Sequence, residues 1–362
     1  MTDDRSTAGG PDEAGAWNRR HLLRLGGGLA LGTAVGGALG LGQGTAAAAS
    51  PAAPTAPVTN TAAPNTAAPT AAALPGVPVS KRFDLTEPSH DLFRHATLHD
   101  DTVQQSFCYD IVNKRLFVAQ RQNSTDWVNG QLCVTELDFD GNYRGYMHLN
   151  GFGHGVSIAA QPVGSTTYLW TEVDIDAESE RGVRLARFAW QSGKTLSNTS
   201  SALTKHKPVP EGTAMTAAID PVFNRMAVRY AVAGGGHRYA IFNLAEVAAG
   251  NYANRLADFA QPPGPGVSFQ GYTLYGSYVY QLRGQSYDEA PEGNTHVSSV
   301  DVNTGAEVQS FRTGAGSTLT FREPEGMAVY RTSAGEVRLF LGFASGAAGD
   351  RRSNLFYKNV LV

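Results

Sequence analysis

The sequence predicts an all-β fold, a five-bladed β-propeller with four strands per blade, the last blade closed by an N-terminal strand. Three observations predict it. A two-strand phrase recurs five times, as QSFCYDIVNKRLFVAQ from Gln105, GHGVSIAAQPVGSTTYLWTEV from Gly153, MTAAIDPVFNRMAVRY from Met215, FQGYTLYGSYVYQLRG from Phe269 and EPEGMAVYRTSAGEVRLFLGF from Glu323. The copies start 48, 62, 54 and 54 residues apart, the spacing of four-stranded blades. Finally, 41 glycines and 9% aromatic residues suit a secreted all-β chain with many tight turns.

The elements follow in order. Residues 1–49 read as a twin-arginine signal peptide: Asn18-Arg19-Arg20-His21-Leu22-Leu23 precedes a weakly apolar Gly/Ala/Leu run, and Ala46 to Ala49 offer small residues for cleavage. Such a run suits an export signal better than a stable membrane anchor. Residues 50–80 are almost only Ala, Pro and Thr, which predicts a disordered linker. The propeller is expected over 81–362, secreted or wall-associated by the twin-arginine route, and as a monomer.

After each repeated hairpin comes a second, more divergent one. Its turns are read at Asp140-Gly141-Asn142 in the first blade, Gln191-Ser192-Gly193 in the second and Asn303-Thr304-Gly305 in the fourth, with a short helical insertion near Leu244 in the third. The fifth blade has only SNLFYKNVLV after its hairpin, so a strand from Arg82 to Leu98 is expected to complete it and remove two open edges. Cys108 and Cys133 fall on the first and third strands of one blade, too far apart for a disulfide, and are read as buried free thiols.

A net charge of −3, with 17% charged residues and no basic block after the signal segment, argues against nucleic acid as the partner. GxSxG, HExxH and phosphate-loop patterns are absent from the sequence, and no Cys/His pair has ligand spacing. DFDGN at 138–142 lacks the remaining ligands of a calcium loop and reads as a turn. Neither a metal nor a cofactor is therefore expected.

Polar residues at the starts of the inner strands should ring a central channel. They include Gln105, His154, Gln270 and Glu325, with glycines beside three of them. His154 is the sharpest acid/base candidate, with Glu325 as a carboxylate across the ring and Glu172 as a second carboxylate or ligand contact. Arg229 and Arg283 hold equivalent places in two copies, and Arg322 precedes a third inner strand; arginines so placed read phosphate or carboxylate groups. Tyr230 and Tyr272 offer aromatic faces or, for Tyr230, a base. The bland alternative is a wet channel whose polar groups satisfy one another through water.

The run from FDLTEPSHDLFRHATLHDDTVQQSFCYD through GFGHGVS, FQGYTLYGSYVY and FREPEGMAVY to SNLFYKNVLV resembles a secreted actinobacterial family labelled teichoic acid biosynthesis protein C-like. That family shares a five-bladed propeller with the receptor-binding proteins of staphylococcal phages. The resemblance covers about residues 80 to 362 and implies a fold and a ligand class, an anionic cell-wall glycopolymer. It carries no catalytic residue set. Two functions stay open. One is a propeller that binds such a polymer at its central channel. The other is a polysaccharide lyase, hydrolase or phosphodiesterase using His154, Glu325, Arg229 and Tyr230.

Overall fold

The computed structural model describes residues 74–362, so the twin-arginine segment and most of the Ala/Pro/Thr stretch lie outside the described residues. Strand β1 (His90–Thr97) precedes the first blade, which is built from β2 (Gln104–Asp110), β3 (Arg115–Arg121), β4 (Leu132–Leu137) and β5 (Tyr143–Asn150). The second contains β6 (Ala159–Val163), β7 (Thr166–Asp176) and β8 (Arg181–Ala189), followed by the short strands β9 (Thr195–Ser197) and β10 (Thr204–His206). The third has β11 (Thr213–Asp220), β12 (Arg225–Ala231), β13 (His237–Asn243), helix α1 (Leu244–Ala248) and β14 (Arg255–Ala260). The fourth has β15 (Phe269–Tyr275), β16 (Tyr278–Arg283), β17 (His296–Asp301) and β18 (Glu307–Arg312); the fifth has β19 (Glu323–Arg331), β20 (Val337–Ser345) and β21 (Arg352–Lys358).

The five sheets match the five repeats, and the fifth is completed by β1, which pairs antiparallel with β21 from His90↔Tyr357 to Thr97↔Arg352. Closure by an N-terminal strand leaves no open seam in the ring. One element departs from the expected pattern. The strand after the Ser192-Gly193 turn does not become the fourth strand of its own blade. Instead β9 pairs in parallel with β5 and makes the first blade five-stranded, while β10 completes the second. Leu196 and Leu203 pack against the core between blades one and two, so this excursion buries apolar surface while it covers an edge.

Each inner strand is buried on both faces because neighbouring blades pack against both sides of its sheet; β2 is buried at every position. In blades one and three the Asp that ends the inner strand folds the hairpin turn. Asp110 accepts from the Val112 and Asn113 amides, and Asp220 from those of Val222 and Phe223. The second oxygen of each carboxylate reaches the next blade, to Thr167 Oγ1 at 2.6 Å and to the Gly276 amide at 2.6 Å. The repeat thus encodes an inter-blade brace as well as a turn.

At the axis the backbones nearly touch. A Cβ on Gly271 would lie 2.8 Å from Gly326 Cα, and one on Gly326 would lie 2.7 Å from Ser106 Cα, so blades four, five and one meet through glycine. Hydrogen bonds continue the ring, from Ser106 Oγ to the Gly155 carbonyl, Ser157 Oγ to that of Ala217, and Gln104 Nε2 to that of Glu325. Both cysteines are free and buried.

The inner strands begin at one end of the ring, here the upper face. The described chain starts at the opposite, lower end. Gly76 donates to the Leu256 carbonyl, Val77 to Asn303 Oδ1, and Phe83 bridges Leu361. Chain that reads as linker from sequence is therefore already seated on the propeller at Val77, which is buried.

Candidate functional site

On the axis, a cavity of about 20 Å3 is lined by residues of all five inner strands, among them Phe107, Ala160, Ala218, Thr273 and Met327, and leaves room for about one water. The polar residues expected to ring a wide channel are mostly spent on backbone. Gln105 Nε2 reaches the Gln104 carbonyl at 3.3 Å, Gln270 Nε2 reaches that of Gly284 at 3.1 Å, and both are buried. Glu325 is buried as well, its carbonyl held by Gln104. A cavity of this size holds no sugar ring within the mid-section of the axis.

Several other sequence candidates prove to be tied into the fold. The Glu172 carboxylate, fully buried, accepts from the Gly155 amide at 2.9 Å, the Gly182 amide at 2.6 Å and Arg181 Nε at 3.1 Å. Gly153 and Gly182 lie so close over it that a Cβ on either would meet Glu172 at 2.6 Å. This carboxylate pins the GFGHG turn to the second blade. In that turn His154 stacks on Trp127, centroids 3.9 Å apart and planes 18° from parallel, and Arg121 approaches the same indole at 5.4 Å.

Arg322 is buried and donates to the Ala315 and Thr313 carbonyls and to Thr295 Oγ1, an arrangement that fixes the approach to β19. The Tyr272 hydroxyl, its pKa pushed well up by burial, donates to the Thr216 or Ala227 carbonyl and accepts from the Arg229 amide. It joins blade four to blade three. Tyr230 follows Arg229 on β12 and so faces the other side of the sheet, toward the second blade. There its hydroxyl donates to Asp258, which also pairs with Arg238 and Arg255. Tyr230 and Arg229 cannot serve one reaction centre.

What the upper face does assemble is a cluster of arginines over blades two to four: Arg181 at the start of β8, Arg229 near the end of β12 and Arg283 at the end of β16. Arg229 is only 4% exposed, and no carboxylate among the described residues forms an ion pair with it or with Arg283. Its Nε donates to Gln261 Oε1 at 2.8 Å, and its guanidinium lies 3.9 Å from the Phe269 ring centroid. Arg283 reaches the same ring at 5.6 Å and donates to Gln281 Oε1 at 3.3 Å; Gln261 Nε2 bonds to that oxygen as well, at 3.0 Å.

The electrostatics match. Burial first, then Arg181 and Arg283, push the Arg229 pKa down to about 10. Burial, then Arg229, Arg181 and Arg283, push neighbouring His237 down to about 3. Of the carboxylates near the three guanidiniums, Glu172 is committed to Arg181 and two amides, and Glu307 acts on Arg283 without forming an ion pair with it. A buried cation with only neutral partners is costly, and an anion is the partner that offsets the cost.

Equivalent repeat positions singled out Arg229 and Arg283 in the sequence. Arg181, Gln261, Phe269, Gln281 and His237 were missed. Their only signal was proximity to the ends of strands that meet at one face.

The comparisons with known proteins agree with this architecture. Residues 103–357 match the family model described as the phage 5-bladed beta propeller receptor binding platform domain. A Bacillus subtilis (strain 168) protein named as a major teichoic acid biosynthesis protein C is 27% identical over 287 residues, 76% of this chain and 63% of that one. The chain thus spans less than two thirds of that relative's length. Among solved structures, the tail fiber of Staphylococcus aureus phage P68 superposes with a TM-score of 0.63 at 19% identity, covering 76% of this chain and 54% of that one. A thermostable family-43 glycoside hydrolase is more remote, with a TM-score of 0.45 at 11% identity over 72% of this chain and 91% of the other. Among the described residues no helix is long and apolar enough to cross a membrane. The chain belongs to the phage five-bladed β-propeller receptor-binding platform domain family.

Proposed function

We propose that this protein is a secreted, non-enzymatic propeller that binds an anionic cell-wall glycopolymer of the teichoic acid type on its upper face. The observation that carries the proposal is the buried guanidinium of Arg229, which has no carboxylate partner among the described residues and sits beside Arg283 over the Phe269 ring. Guanidiniums bind phosphate oxygens in a planar, bidentate manner, and an aromatic ring beside them offers a face for a sugar or glycerol unit. The family's receptor-binding description and the teichoic acid name of the B. subtilis relative support a wall polymer as ligand.

Two features favour binding over catalysis. Tyr230 faces the wrong seam, and Glu172 is fully committed to its turn. The test is to incubate the protein with purified poly(glycerol phosphate) teichoic acid, with a uronic-acid polysaccharide and with a neutral glucan. Retention on the teichoic acid without release of glycerol phosphate supports the proposal. Turnover of any of the three, or equal retention on the glucan, contradicts it.

A further inference from the structure

The crossover that links the closing strand β1 to the first inner strand carries a cluster that the arginine site does not use. His99 and Asp100 follow directly after β1, and His148 lies on β5 of the first blade. One ligand-type atom from each of the three lies within 4.8 Å of the others. We infer that His99, Asp100 and His148 form a binding site for a divalent transition-metal ion, which staples the ring-closing crossover to the first blade.

Three observations carry this beyond mere proximity. First, Asp100 Oδ2 and His148 Nε2 are both buried and stand 3.9 Å apart, too far to satisfy each other, and the group that approaches the carboxylate is the weakly donating Cys133 thiol. A buried carboxylate oxygen beside an imidazole nitrogen is costly when left alone and is a good donor pair for a cation. Second, the backbone of the crossover is fixed independently of the cluster. Gln120 Nε2 donates to the Asp100 and Thr102 carbonyls, and the His99 amide donates to Thr135 Oγ1. Third, His99 is oriented before any ion arrives. Its ring stacks on Tyr146, centroids 3.5 Å apart and planes 8° from parallel, and its Nδ1 meets the Tyr143 hydroxyl at 3.2 Å. A ligating histidine commonly engages its second nitrogen in this way, and here Nε2 is left for the metal.

Two imidazoles and one carboxylate suit Zn(II) or a neighbouring divalent metal with a fourth position open. Ligand atoms around a tetrahedral zinc lie roughly 3.3 Å apart, so side-chain rotations of about 1 Å close the site. Cys133 pairs with His148 across the β4–β5 ladder and its buried thiol approaches Asp100, but it lies outside the three-residue cluster.

The experiment titrates Zn(II) into the chelator-stripped full chain and follows both calorimetry and melting temperature. The expected result is one high-affinity equivalent per chain and a Tm rise of roughly 5–10 °C at a hundredfold excess over Kd. Asp100→Asn and His99→Gln should each weaken binding about 100-fold and remove the Tm response, whereas His296→Gln, on the fourth blade, should leave both unchanged. If Asp100→Asn does not fold, His99→Gln still decides the matter, because its ring is only half-buried. No saturable equivalent, or a response retained in His99→Gln, would overturn the assignment.

Discussion

The Arg229 guanidinium lies 3.9 Å from the centroid of the Phe269 ring, on a face where Arg283 approaches the same ring at 5.6 Å. Two cations on one apolar ring, one of them buried, is an arrangement that folding alone disfavours. It becomes favourable when an anion binds between or above them. Stability and binding should therefore respond to Arg229 in opposite directions. Arg229→Met should leave the unliganded protein as stable as the parent, or up to ~2 kcal/mol more stable, as read by urea unfolding. A loss beyond ~2 kcal/mol would mean that the guanidinium is structural cement.

Acid should weaken the fold through two histidines. His237 is pushed down to about 3 and His206 to about 4, in both cases chiefly by burial. An unfolded histidine titrates near its ordinary value of 6.5, so between that pH and the folded values the unfolded chain binds more protons. The contribution is fully present above about pH 6.5 and is lost as pH falls toward 3–4. At pH 5 each histidine should cost about 2 kcal/mol relative to neutral pH. His237→Gln should flatten the slope of unfolding free energy between pH 7 and 5; an unchanged slope would contradict the burial account.

Glu172 is expected to matter for stability more than for chemistry. Its carboxylate accepts from two glycine amides and from Arg181 while fully buried. Glu172→Ala should cost about 3–5 kcal/mol, since it strands Arg181 and two amides. A variant within about 1 kcal/mol of the parent in chemical denaturation would show that the turn is held by other means.

The axial glycines should be intolerant of a single methyl group. Gly326 has φ +84°, and its added Cβ would lie 2.7 Å from Ser106 Cα. Gly326→Ala should cost more than about 2 kcal/mol, combining left-handed backbone strain with an overpacked axis. Gly349→Ala tests the strain alone, because that glycine has φ +76° and open space around it. Equal costs at the two positions would show that close approach at the axis adds nothing.

Much of the fold was legible because the repeat is itself physical. Each copy has an apolar inner strand, a turn and a second apolar strand, so five copies dictate five sheets. The donor strand at His90–Thr97 followed from the missing fourth strand of the last blade. The excursion of Thr195–Ser197 to the first blade was not legible. It depends on parallel pairing with His148–Asn150, a contact between blades that no local pattern marks. The candidate site was half legible. Arg229 and Arg283 share a register in two copies and do meet at Phe269. Gln105 and Gln270 read as channel lining because a polar residue on an apolar strand has no role in packing, but at a crowded axis their amides donate to backbone carbonyls. Tyr230 could have been set apart from Arg229 by the two-residue period of a strand.

The most direct measurement compares the affinity of the parent and of Arg283→Gln for purified poly(glycerol phosphate) teichoic acid at low and at physiological ionic strength. Arg283 is only partly buried, so its loss should leave the fold intact. Loss of one charge-assisted contact, worth about 1.5–3 kcal/mol, should weaken binding roughly 10- to 100-fold. The parent's affinity should fall as salt rises, and the variant's should fall less steeply. Equal affinities for parent and variant, with the same dependence on salt, would contradict recognition by the arginine cluster.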